Sequence, residues 1–301
     1  MSQISRKTEH IVQGQPTRDG AGVNLIRVLT QQWQRRLDPF LMLDEFRSDD
    51  PNDYIAGFPE HPHRGFETVT YMQAGQMRHK DNAGHEGVVG PGDVQWMTAG
   101  KGILHSETPE QVAGLMHGFQ LWINLPAKNK LAKPTYQEVP SAQIPVLTSA
   151  EGHQVKVIAG SWQETTGPLH RPDTEPLYLD LQLQNETPLF VPIPAGHNAF
   201  VYVVQGQPLV AGQTIAPRRM AILSNDTQAN GVLLQGHAGD QLLVLSGQPL
   251  KEPIVQWGPF VMNTKEEINQ AFEDYHQTQF GGWPWPKYDQ VHERNKSRFA
   301  K

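Results

Sequence analysis

The chain has 301 residues, 38% of them hydrophobic and 19% charged, with a formal net charge of −6. That balance belongs to a folded globular protein and argues against a nucleic-acid groove as its main surface. It contains no cysteine, which excludes disulfides, a thiolate nucleophile and thiolate-held metal, so any metal must be bound by imidazole and carboxylate.

The start MSQISRKTEH has no apolar signal core, and no stretch reaches the roughly 20 apolar residues that span a bilayer, so a cytoplasmic location is expected. From there the chain is punctuated like an all-β protein. Its 27 Gly and 24 Pro separate short apolar runs at 23–29, 40–46, 67–73, 87–89, 94–98 and 118–124, each a candidate strand. Residues 126–145, PAKNKLAKPTYQEVPSAQIP, read as an interdomain linker. Strands resume at 155–159, 177–183, 199–204, 220–223, 231–235 and 241–246. Thr264 with Glu267 forms a capping box, and Ile268, Phe272 and Tyr275 give the apolar stripe of a helix near 265–276. Gly281-Gly282 and Pro284 stop it. The motif FGGWPWP (280–286) is expected to pack across a domain junction. The tail beyond it, with Lys287, Arg294, Lys296 and Arg298 interleaved by Asp289 and Glu293, reads as solvated.

The expected layout is therefore residues 1–130 as one antiparallel β-barrel, 131–145 as linker, and 146–301 as a second barrel with the helix and tail. The halves resemble diverged copies of one unit. ETVTYMQAG ends at Gly75 and NAFVYVVQG at Gly206, and aligning those glycines also aligns Tyr71 with Tyr202.

Chemistry concentrates in the first half. In HPHRGFE, His61 and His63 are two apart, so on a strand they share a face. Glu67 joins them if the pleat runs unbroken through Gly65. In ILHSETPE, His105 and Glu107 again share a face. A lone His-x-His is more often structural than a ligand pair. Two such pairs in one half of a cysteine-free chain suit a metal cradled between facing strands. With Gly206 opposite Gly75, the second half places Pro192, Pro194 and Asn198 where the first has His61, His63 and Glu67. None can replace the ligands, so the second barrel is expected to be metal-free, and His197 and His237 to be structural.

The strings HPHRGFETVTY, GHEGVVGPGD and GDVQWMTAGKGILHSE resemble the pirin family of the cupin superfamily over residues 57–109. The resemblance implies a bicupin fold, two tandem cupin-type jelly rolls with a short C-terminal helix. It also implies one mononuclear iron in the N-terminal domain, held by His61, His63, His105 and Glu107. In many other cupins the carboxylate ligand lies four residues after His-x-His, here Glu67, and the pirin-like strings favour Glu107. Such a donor set suits a divalent ion, Fe(II) first, with Mn, Co, Ni, Cu or Zn as alternatives, and leaves open positions for substrate and oxygen.

Pirin-like proteins are associated with quercetin 2,3-dioxygenase activity, so the resemblance implies a flavonol-like substrate and O2, with Glu107 as general base. It also implies a rival, an iron- or redox-dependent regulatory protein acting through a protein partner. A structural zinc protein without turnover is a third reading. Neither direct nucleic-acid contact nor membrane association is expected. Asp81, Gln95 and Gln120 are candidates to support the ligands, and Phe58, Phe66, Tyr71, Trp96, Met97, Phe119 and Trp122 to line the pocket.

Overall fold

The computed structural model describes residues 2–286; the basic tail from Lys287 lies outside the described residues. Its first strands are β1 (Thr8–Gln13), β2 (Gln15–Asp19), β3 (Val23–Leu29), β4 (Phe40–Ser48), β5 (Phe58–His63), β6 (Phe66–Ala74), β7 (Met77–Asp81) and β8 (Glu86–Val89). Next come β9 (Val94–Thr98), β10 (Ile103–Pro109), β11 (Met116–Asn124), β12 (Thr135–Val139), β13 (Val146–Thr148), β14 (Gln154–Ala159), β15 (Ser161–Trp162) and β16 (Thr165–Thr166). The second half adds β17 (Leu177–Gln182), β18 (Leu189–Pro192), β19 (Asn198–Gln205), β20 (Leu209–Val210), β21 (Gln213–Thr214), β22 (Arg219–Leu223), β23 (Gly231–Gln235) and β24 (Gln241–Gly247). A hairpin, β25 (Val255–Trp257) and β26 (Phe260–Met262), leads into α1 (Lys265–Thr278).

All twelve apolar runs and the helix appear as elements. The central strands β4, β6, β10, β19 and β24 are buried along nearly their whole length, on both faces. Each of two compact units has a seven-stranded and a four-stranded antiparallel sheet. In one unit the orders are β12-β9-β6-β11-β4-β3-β2 and β5-β10-β7-β8; in the other, β1-β22-β19-β24-β17-β14-β13 and β18-β23-β20-β21. The two long sheets have the same topology. β6 and β19 are equivalent, which puts Tyr71 and Tyr202 at matching buried sites, and each strand is followed by a glycine at positive φ, Gly75 at 80° and Gly206 at 84°. The internal repeat seen in the sequence is thus a repeat of sheet position.

The units are not consecutive in sequence. One comprises residues up to Gln15, Arg35–Pro39 and Ala142–Leu250; the other comprises Pro16–Gln34, Phe40–Ser141 and the chain from Lys251. β1 fills the edge beside β22, and residues 135–139, inside the expected linker, form β12 beside β9. Proline at 134 and 140 frames this short strand, which makes it read as linker. Helix α1 packs on β26 through Ile268, Ala271, Phe272 and Tyr275, with its Thr264–Glu267 capping box formed. FGGWPWP docks within the same unit: Phe280 joins the α1 cluster, and Trp285 donates its indole N–H to the Asp81 carbonyl (2.7 Å).

The C-terminal hairpin also grips the segment between β5 and β6. Arg64 N–H donates to the Pro259 carbonyl (3.3 Å) and Val261 N–H to the Arg64 carbonyl (3.0 Å). The buried ammonium of Lys130 donates to the Gly65 and Val261 carbonyls and to Asn124 Oδ1, at 2.8, 2.9 and 2.7 Å. Gly65 sits at φ 87°, and a Cβ there would lie 2.0 Å from the Val261 carbonyl oxygen. Gly65→Ala is therefore expected to cost at least about 2 kcal/mol through combined positive-φ and backbone clash, read as a lowered midpoint in thermal unfolding.

Among the described residues no helix is long and apolar enough to cross a membrane. In the unit containing β19 the space between the sheets is filled by Val155, Val157, Leu179, Val201, Val244 and other apolar side chains.

Candidate metal centre

Strands β5 and β10 pair antiparallel with His61 directly opposite His105 and His63 opposite Ile103. Because His61 and His63 are two apart on one strand, all three rings gather on one side. Their centroids lie 4.4–4.9 Å from one another, and one ring nitrogen from each falls within 4.8 Å of the others. Phe66 and Trp122 pack edge-on to His63. His61 Nδ1 lies 2.8 Å from the Pro59 carbonyl and donates to it, which leaves Nε2 as a bare lone pair. That Nε2 is 3.0 Å from His105 Nε2. Burial pushes the pKa of all three imidazoles down, and that of His63 and His105 far down, so they are neutral and able to ligate.

The arrangement fits a metal ion. Two imidazole nitrogens bound at right angles to one ion, each about 2.1 Å away, are about 3.0 Å apart, which matches the His61–His105 separation. Nitrogen donors without thiolate suit a divalent transition metal.

Glu107, two residues beyond His105 on β10, is buried on the same cavity and sits opposite His79 of β7. The β5 pairing shifts register between His105 and Glu107, so Glu107 faces Phe58 rather than Pro59. The Thr70 hydroxyl lies 2.6 Å from Gln120 Oε1 and 3.3 Å from Glu107 Oε1. Burial raises the Glu107 carboxyl to about 7, only partly offset by hydrogen bonding from Thr70 and Gln120. Glu67 lies elsewhere. The bend at Arg64-Gly65 sends β5 and β6 into different sheets, so the shared-face condition fails. Glu67 accepts from the Thr98 hydroxyl (2.6 Å), is buried opposite Thr98 and Ile123, and does not line the cavity.

The cavity holds about 550 Å³. Of the seven expected lining residues, Phe58 and Trp122 face it; Phe66, Tyr71, Trp96, Met97 and Phe119 are buried core. Leu25, Met42, Phe46 and Met77 supply the rest of its apolar wall. Among the supporting candidates, Gln120 lines the cavity, Asp81 orders its own turn through Ala83 and His85, and Gln95 bonds Glu138. Two groups of lining residues escaped the sequence reading. One is the pair formed by half-buried Arg27 and buried Asp44, bonded at 2.7 and 2.9 Å, with Asp19 also on the guanidinium. The other is the turn Gln256–Pro259 of the C-terminal hairpin. Burial raises the Asp44 carboxyl to about 6 even beside Arg27.

Comparison with known proteins agrees with this architecture. Residues 22–123 match the Pirin domain, and residues 178–281 match the Pirin C-terminal cupin domain. The chain belongs to the pirin family. Its two barrels are thus the paired cupin domains of a pirin. A pirin-like protein of Caulobacter vibrioides is 48% identical over 90% of this chain and 97% of its own length. Human pirin is 40% identical over 92% of this chain and 94% of its own. A crystal structure of quercetin 2,3-dioxygenase from Acinetobacter baumannii superimposes with a TM-score of 0.86 at 34% identity, covering 92% of this chain and 99% of that one.

Proposed function

We propose that this pirin is a metal-dependent dioxygenase of the quercetin 2,3-dioxygenase type, opening a flavonol ring with O2 at one iron held by His61, His63, His105 and Glu107. The observation that carries the reading is the convergence of three neutral imidazoles on a cavity of about 550 Å³ with apolar walls and a poised carboxyl, Glu107. Likeness over nearly the whole chain to a quercetin 2,3-dioxygenase supports it.

A bound divalent ion supplies Lewis acidity that stabilises a substrate oxyanion. The chain's own residues do the rest. Trp122, Phe58 and Met42 pack against planar rings and keep water out. Glu107 accepts the proton of the flavonol 3-hydroxyl as general base, its buried position on the cavity wall placing a carboxylate oxygen within the site. Thr70 and Gln120 orient its oxygens.

The test is oxygen uptake and carbon monoxide release by iron-loaded protein given a flavonol, with His105→Ala as control. Turnover by wild type and none by the variant is the expected result. No oxygen uptake at full iron occupancy overturns the enzymatic reading in favour of the regulatory one.

A further inference from the structure

Six polar side chains cross the long sheet of the metal-centre unit at one register level. Arg27, Asp44, Gln120, Thr70, Gln95 and Glu138 stand each directly opposite the next on β3, β4, β11, β6, β9 and β12. The first four line the cavity. Asp44, Thr70 and Gln95 are buried, Arg27 and Gln120 half-buried and Glu138 exposed; burying the first three carries a desolvation cost that apolar residues of similar size avoid.

The repeated fold supplies its own control. With Gly206 opposite Gly75, Thr70 corresponds to Val201, and the matching row reads Val157, Leu179, Val244, Val201 and Ala221 across β14, β17, β24, β19 and β22. All five are fully buried apolar residues. The sheet therefore folds with a dry row at this level, and folding alone does not call for the polar one.

Where they face the cavity, the neighbouring rows on the same face are apolar, with Met42, Trp122 and Phe46 on its wall; Thr68, opposite Trp122, lies off it. Met42 pairs with Trp122 on one side, and Phe46 with Gly118 and Gly118 with Met72 on the other. A Cβ on Gly118 would strike the Phe46 ring at 2.4 Å, so the glycine keeps this floor flat. The result is an apolar floor crossed by one polar stripe, the complement of a planar aromatic molecule with hydroxyl groups on its edge.

We propose that the Arg27–Asp44 pair, with Gln120 beside it, recognises vicinal hydroxyls on a substrate ring remote from the metal, selecting uncharged polyhydroxylated aromatics. The placement of the substrate's other end rests on the dioxygenase reading. Asp44 accepts from one hydroxyl. Arg27 spends Nε on Asp44 and Nη2 on Asp44 and Asp19, leaving Nη1 to donate to the second. With Asp19, Asp44, Glu60 and Glu107 on the wall against one arginine, a carboxylate placed at the Arg27–Asp44 end, away from the metal's own charge, is disfavoured.

Three probes separate the two ends in anaerobic titrations of the metal-loaded full chain. 3-Hydroxyflavone carries only the 3-hydroxyl group, 3′,4′-dihydroxyflavone only the vicinal pair, and 3,3′,4′-trihydroxyflavone both and no other hydroxyl. The trihydroxyflavone is expected to bind about tenfold tighter than 3-hydroxyflavone, as charge-assisted hydrogen bonds allow. Asp44→Asn should remove that advantage and weaken 3′,4′-dihydroxyflavone about tenfold, while 3-hydroxyflavone changes less than about twofold. The paired change Arg27→Met with Asp44→Leu, which leaves no orphaned charge, should do the same if Asp44→Asn folds poorly. Equal losses for all three probes, or no wild-type preference for the vicinal pair, overturns the proposal. Affinities that are unchanged in His105→Ala overturn the placement at the metal and leave the Asp44 comparison standing.

Discussion

His61→Ala and His105→Ala proteins are expected to retain about one tenth or less of the wild-type ion, since each loses one of three converging nitrogens, and losing even a partner that only orients a ligand costs about 10–100-fold in affinity. Fold should survive both changes. The long sheet that faces the centre is built on Val69, Tyr71, Trp96, Phe119, Leu121 and Ile123, all buried and none a ligand, and apolar burial of this kind dominates stability. Two carboxylate variants complete the measurement. Glu107→Ala should lower ion retention and slow turnover, because the proposal gives that residue two roles. Glu67→Ala should keep the ion and cost about 0.5–1.5 kcal/mol, the typical loss for one hydrogen bond, here the part-buried one from the Thr98 hydroxyl. Metal stoichiometry and thermal unfolding on the same samples read both quantities. Ion loss in Glu67→Ala with retention in Glu107→Ala reverses the carboxylate assignment.

Metal uptake should release a proton and weaken as pH falls below about 7. Without metal the Glu107 carboxyl titrates near 7, raised by burial from an ordinary value of 4.5. Below 7 it is mostly protonated, and a ligating oxygen must first lose that proton. Apparent affinity should then drop about tenfold per pH unit below 7 from this group alone. Stability of the metal-free protein has a definite sign. A carboxyl whose folded pKa lies above its unfolded one stabilises fully below the unfolded value, and that contribution is lost as pH rises through the folded value. Asp44, raised to about 6, acts in the same direction. The metal-free protein should therefore lose stability between pH 4.5 and 7, and the metal-loaded protein should lose less. Calorimetric titration in two buffers of different ionisation enthalpy counts the protons. A pH-independent affinity between 5.5 and 7.5, with no proton released, contradicts the ligation of Glu107.

The strands and the three-histidine cluster were legible because each depends on local periodicity. Two-residue spacing put His61 and His63 on one face, and the glycines after Tyr71 and Tyr202 marked equivalent strands. What depended on long-range pairing was not legible. Whether the pleat continued from His63 to Glu67 was decided at Gly65 by its contact with Val261, nearly 200 residues away. Arg27 and Asp44 look like surface charges until cross-strand register sets Asp44 between Arg27 and Gln120. The aromatic residues misled for a related reason. Alternate positions mark a face, but only Phe58 and Trp122 of the seven stand where the two sheets separate. β1 and β12 are short, polar and framed by turns or proline, so nothing local announces them. Their existence follows from the unpaired edges of β22 and β9 that they cover.

The grip of the Pro259–Val261 backbone on Arg64 sets an order of events in time. A chain emerging from the ribosome displays HPHRGFE and ILHSE, with the Gly100, Lys101 and Lys130 partners of the bend after His63, before Pro259–Val261 exist. The strands β13 to β24 are all made in the interval. The last contacts at that bend therefore close only after the second cupin domain has left the ribosome.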